Sequence, residues 1–154
     1  MKNAKSGLAS VVVAIILLAV LAGILAYVFS QFGEQKPLVE VVSSLEPSTV
    51  KEGERAMLVL NFKNVDLKTH EITVTFSVGP HISIYEGNEL PLQQNRYSFV
   101  LEASNPSEQR AFGVSGTLET GTLSAEYLIA FNVSVDGQDE QKHWSEPILT
   151  IQKN

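Results

Sequence analysis

The side chains able to do chemistry are few and far apart. His70, His81 and His143 are the three histidines of the chain. None lies at the two- or four-residue spacing from another that a local zinc site favours. Each is therefore expected as a solvated side chain in a loop or at a strand end. Asp136, Asp139 and Glu140 crowd one stretch, but calcium takes about six to eight oxygens in a shaped loop, so these three read as a solvated hairpin. The absence of cysteine removes thiolate metal sites and disulfides and leaves the fold to its core alone. Catalytic motifs are missing too: there is no Gly-x-Ser-x-Gly elbow, phosphate-cradling glycine loop or His-Glu-x-x-His. The expectation is a non-enzymatic chain with no cofactor, no metal and no small-molecule substrate.

What remains is modification and recognition. Asn132-Val133-Ser134 is a glycosylation sequon, and strand alternation points Asn132 outward; Asn105-Pro106-Ser107 is excluded by its proline. Tyr85 and Tyr97 flank Glu86-Gly87-Asn88-Glu89-Leu90-Pro91, the longest expected loop. Tyr85, Glu86, Asn88, Glu89 and Tyr97 are accordingly the candidate partner contacts. Trp144, Tyr127, Phe131 and Phe76 read as core.

The elements that must position these residues are strands. Val39-Val41-Ser43 and Ser48-Val50 form a first strand broken at Glu46-Pro47. Ala56-Leu58-Leu60-Phe62 and Ile72-Val74-Phe76-Val78 alternate with more polar neighbours, the period of two of a half-buried strand. Tyr97-Phe99-Leu101 and Phe112-Val114 are weaker versions, and Tyr127-Ile129-Phe131-Val133-Val135 is the cleanest. Asp136-Gly137 offers a tight turn, after which Trp144 to Ile151 returns as the last strand. Seven to eight short strands over residues 38–152, with no amphipathic helical pattern, predict an all-β, Ig-like antiparallel sandwich.

Ahead of it stands a different kind of segment. From Leu8 to Phe29 no residue is charged. As a helix, these residues reach about 33 Å, enough for a hydrocarbon core of about 30 Å. Residues 1–7 are then a basic stub, 8–30 a transmembrane helix and 31–37 a short polar linker, which spans about 15 Å and keeps the sandwich near the membrane. Lys2 and Lys5 precede the span, so the N-terminus is expected in the cytoplasm and the sandwich outside, in a single-pass plasma-membrane topology. Ala19, Ala22, Gly23 and Ala26 give small-residue pairs at helical spacing, a surface on which copies of the helix could pack. All 17 acidic residues and nine of the 11 basic ones follow the span. That acidic balance disfavours nucleic acid and anionic lipid headgroups as partners of the sandwich.

Two stretches carry family resemblances. Leu45-Glu46-Pro47, Val50-Lys51-Glu52-Gly53-Glu54, Leu58-Val59-Leu60 and Asn64 resemble the opening of CARDB-like and related immunoglobulin-like modules. That resemblance implies adhesion, spacing or protein contact. Lys5-Ser6-Gly7 followed by the apolar run from Leu8 resembles the class III signal of archaeal type-IV-pilin-like proteins, which implies cleavage between Gly7 and Leu8. The bacterial pattern has Glu at the fifth mature position, where this chain has Val12. Together they imply a component or accessory of an archaeal pilus-like or archaellum-like machine. Its partners would be membrane lipid for residues 8–30 and envelope proteins for the sandwich, such as the surface layer or further copies of the chain. A stand-alone anchored adhesion module and an accessory subunit of an envelope enzyme are the alternative functions.

Overall fold

The computed structural model describes residues 16–25, 37–87, 90–140 and 142–154. The chain forms two compact units, 1–36 and Pro37–Asn154. In the first, residues 16–25 are helical (α1). No described helix is long and apolar enough to cross a membrane. Most of the expected span 8–30, the cleavage pair Gly7 and Leu8, Ala26 and nearly all of the linker lie outside the described residues. Ala19, Ala22 and Gly23 fall on α1.

The second unit is an all-β sandwich. Twelve strands are described: β1 (Val39–Glu46), β2 (Thr49–Lys51), β3 (Arg55–Asn64), β4 (His70–Ser77), β5 (Ile82–Glu86), β6 (Leu90–Pro91), β7 (Arg96–Leu101), β8 (Ser107–Gly116), β9 (Ser124–Leu128), β10 (Ala130–Val135), β11 (Gln138–Asp139) and β12 (Ile148–Gln152). They form a five-stranded sheet β1-β3-β8-β5-β6, a four-stranded sheet β11-β10-β4-β7 and a three-stranded sheet β2-β12-β9. All pairings are antiparallel except β2 with β12, where Val50 sits beside Ile151 in parallel register.

Alternation explains the layers. Leu58, Leu60 and Phe62 of β3 are fully buried, as are Ile72 and Val74 of β4. Each such side chain contributes about 1.5–3 kcal/mol on leaving water. The two larger sheets meet through aromatic rings set edge to face, Phe62 against Phe99 and Phe76 against Phe112, each pair 5.0 Å apart. The third sheet closes the same core: a Cβ on Gly116 would strike Ile151 of β12 and come within 2.8 Å of Ile82 Cδ1.

The count exceeds the expected seven to eight because β5 and the two-residue strands β6 and β11 are added and because two expected strands each serve two sheets. The first changes sheets at the cis Glu46–Pro47 bond, with β1 pairing β3 and β2 pairing β12. The run from Tyr127 to Val135 breaks at Ile129, whose amide donates to the Pro147 carbonyl at 2.9 Å. Before the break the chain pairs with β12, after it with β4. Tyr127, Ile129, Phe131, Val133 and Val135 all keep to the inward side, so the period of two runs on unbroken. The last strand begins only at Ile148. Trp144, four residues earlier, lies in a strap between β11 and β12 and stacks on Phe131 at 5.6 Å. Its indole N–H donates to the Phe131 carbonyl at 3.3 Å.

Candidate functional site

Three places in the sandwich gather polar side chains. The first is a groove of about 330 Å³ lined by Glu86, Pro91, Leu92, Gln93, Arg96, Tyr97 and Ser98. Its floor and rim come from β5, β6 and the start of β7, joined by a turn over Gln93–Asn95. Gln94 and Asn95 both take left-handed backbone there, with φ of 55° and 52°. Asn tolerates that region, but Gln pays for it sterically. The wall is apolar where Pro91, Leu92 and Tyr97 line it. Glu86, Gln93, Arg96 and Ser98 add charge of both signs, an amide and a hydroxyl. This set offers an apolar surface with hydrogen-bonding groups around it. Among the described residues no group of three His, Cys, Asp or Glu side chains is placed to hold a metal ion.

The expected contact residues divide at this groove. Glu86 and Tyr97 line it. Tyr97 also packs inward, edge to face on Phe112 at 5.3 Å. Tyr85 is turned to the opposite face of its sheet, because neighbours on a strand point opposite ways. There the Arg55 guanidinium lies 3.9 Å over its ring, and the Ser115 hydroxyl donates to the phenol at 3.4 Å. That hydrogen bond draws the phenol below its usual range, against the effect of burial. Asn88 and Glu89 lie outside the described residues. Leu92, Gln93, Arg96 and Ser98 join Glu86 and Tyr97 in the lining without having been expected there, although Arg96 and Ser98 alternate with Tyr97 and Phe99 and so mark the outward side of β7.

The second place corrects the expectation of solvated histidines. His70 is buried, its side chain only 5% exposed. Nδ1 lies 2.8 Å from Asp136 Oδ2, and Nε2 lies 2.7 Å from Asp66 Oδ1. The hydrogen bond to Asp136 raises the imidazole pKa most, with Asp66 adding to it and burial opposing. Asp66 and Asp136 are both lowered, each chiefly by its hydrogen bond to His70. Asn64, at the end of β3, holds the loop that carries Asp66: its amide donates to the Lys68 carbonyl at 2.6 Å, and its Oδ1 accepts from the Leu67 amide at 3.0 Å.

The third place is the outer edge of β1. Glu140 Oε1 accepts from the Leu38 amide at 2.6 Å and the Val39 amide at 3.3 Å. His143 Nε2 lies 3.1 Å from the Val41 amide and accepts from it. The expected solvated hairpin of Asp136, Asp139 and Glu140 therefore sends each carboxylate to a separate partner: Asp136 to His70, Asp139 to the Ser134 hydroxyl at 2.6 Å, and Glu140 to β1. The turn itself is as expected, with Asp136 and Gly137 both left-handed. His81 Nε2 sits 3.4 Å from Glu119 Oε1. Asn132 lies on the outward face of β10, half-buried beside Thr75.

No family model matches the chain. No curated protein matches it either. Solved structures are similar to it at low identity. A CARDB domain from Pyrococcus furiosus, solved in complex with di-metal ions, is 15% identical with a TM-score of 0.43, over 77% of this chain and 89% of that one. A non-cellulosomal cohesin from Archaeoglobus fulgidus is 12% identical with a TM-score of 0.43, over 75% and 91%. An alkylpurine DNA glycosylase from Pseudomonas fluorescens, bound to DNA containing an abasic site analogue, is 13% identical with a TM-score of 0.45; 75% of this chain matches only 30% of that protein's length.

Proposed function

We propose that this chain is a non-enzymatic, membrane-anchored component of a cell envelope whose sandwich binds protein partners through the groove between Glu86 and Ser98. The observation that carries the anchor is the surface of α1. Ile16, Leu17, Leu18, Val20, Leu21, Ile24 and Leu25 are each 48–66% exposed. At about 100° per residue these positions cover about 200° of the helix and Ala19, Ala22 and Gly23 fill the remaining arc, so no polar face is left, and a helix that is apolar all round needs an apolar surrounding. Lipid and packed copies of the same helix both supply one. The uncharged run from Leu8 to Phe29 extends that surface to a span, and Lys2 and Lys5 orient it. The groove supports protein contact because it mixes an apolar wall with polar groups of both signs beside a strand edge.

The finer reading is a part in a type-IV-pilus-like or archaellum-like machine, resting on Lys5-Ser6-Gly7-Leu8. Mass spectrometry of the full chain recovered from native membranes tests it. A mature chain beginning at Leu8 is the expected result. A membrane-bound chain retaining Met1 overturns the processed-pilin reading and leaves an anchored contact module. Recovery of the chain outside the membrane fraction overturns the anchor.

A further inference from the structure

We infer that His70 is a charged latch that ties the β3–β4 loop to the β10–β11 hairpin and loosens when its imidazole loses a proton. The argument begins with hydrogen-bond chemistry. An ionised carboxylate only accepts. Each ring nitrogen of His70 meets one, at 2.8 and 2.7 Å, so both nitrogens carry protons and the ring is a cation. A neutral imidazole donates from one nitrogen only, so on deprotonation one carboxylate faces a bare lone pair. Burial sharpens the contrast, because the ring has little water to turn to.

The two carboxylates belong to different parts of the fold. Asp66 sits in the loop between β3 and β4. Asp136 opens the turn between β10 and β11 and also accepts from the Glu71 amide through Oδ1 at 2.9 Å. The other charged groups nearby are Lys68, whose Nζ is 3.5 Å from Asp66 Oδ2, and Glu102, whose Oε2 is 3.4 Å from the Thr69 hydroxyl. Lys68 steadies Asp66 but offers nothing to Asp136. The imidazolium is thus the side chain that joins loop to hairpin. The hairpin leads directly to Glu140, so the same latch steadies the start of the strap that covers β1.

The sign of the pH effect follows. His70 has a raised pKa when folded, so its contribution is complete below the ordinary imidazole value and disappears as pH rises through the folded value. The two aspartates are lowered, so their contribution is present above the ordinary carboxylate value and disappears as pH falls through their folded values. The latch is closed between those limits.

The test is an NMR titration of the histidine Cε1–H signals of the full-length chain in detergent micelles, with H81Q and H143Q used to assign them. The expected result is a His70 midpoint above that of an ordinary histidine side chain, moved downward in D136N. A midpoint at or below that of an ordinary histidine side chain, or one unmoved in D136N, overturns the latch. A second measurement follows the thermal midpoint with pH. The wild-type value falls as His70 deprotonates, and H70Q lacks that fall; an equal fall in both overturns the proposal.

Discussion

β1 and β7 are both outer strands of a large sheet, yet their open sides are treated differently. The outer amides of β1 meet Glu140 and His143, and Ser43 Oγ donates to the Ser145 carbonyl. The strap that supplies these groups is pinned by Trp144 on Phe131. Among the described residues no strand pairs with the outer side of β7, and the groove opens at its first residues instead. An unpaired strand edge is a template for another chain. The molecule closes one template with its own side chains and leaves the other beside a polar-rimmed groove. The closed edge serves stability, and the proposed function gives the open one to contact.

The largest expected effect comes from unpinning the strap. W144A removes a buried, stacked ring and should cost about 3–5 kcal/mol, read by denaturant unfolding of the full chain in detergent. E140A should cost less, about 1 kcal/mol, because its shorter bond is exposed and the other only partly buried. It should also raise self-association in sedimentation, since the Leu38 and Val39 amides are freed. If E140A leaves self-association unchanged, Glu140 does not guard this edge. At the open edge the signs reverse. Q94G relieves a left-handed Gln and should stabilise by about 0.5 kcal/mol after the entropy of glycine is set against it. R96A should change stability by less than about 0.5 kcal/mol while reducing partner capture from membranes. A substantial loss of stability in R96A would make Arg96 a structural residue and weaken the contrast.

The strands behind this contrast were legible in the chain, the contrast itself much less so. The inward faces of β3 and β4 follow from period two, and the β10–β11 turn follows from Asp136-Gly137. His70 carried a signal that its residue type obscured: positions 70, 72, 74 and 76 share one parity, so the strand that buries Ile72, Val74 and Phe76 also buries the histidine. Periodicity reports which face a residue takes and not which strand lies beside it. The break at Glu46-Pro47 is marked by its proline, but that its two halves join different sheets is not, nor are the sheet change at Ile129 and the contacts of Glu140 and His143 with a strand about a hundred residues away. The groove was placed only approximately, because Tyr85 and Glu86 are neighbours in sequence and opposite in space.

The most direct test of the central claim is site-specific photocrosslinking of the full-length chain in native membranes, from Gln93 on the open rim and Ser145 on the closed strap. The account predicts a discrete adduct from Gln93 that R96A diminishes, and none from Ser145. An adduct from Ser145 alone, or equal labelling from both positions, would contradict it.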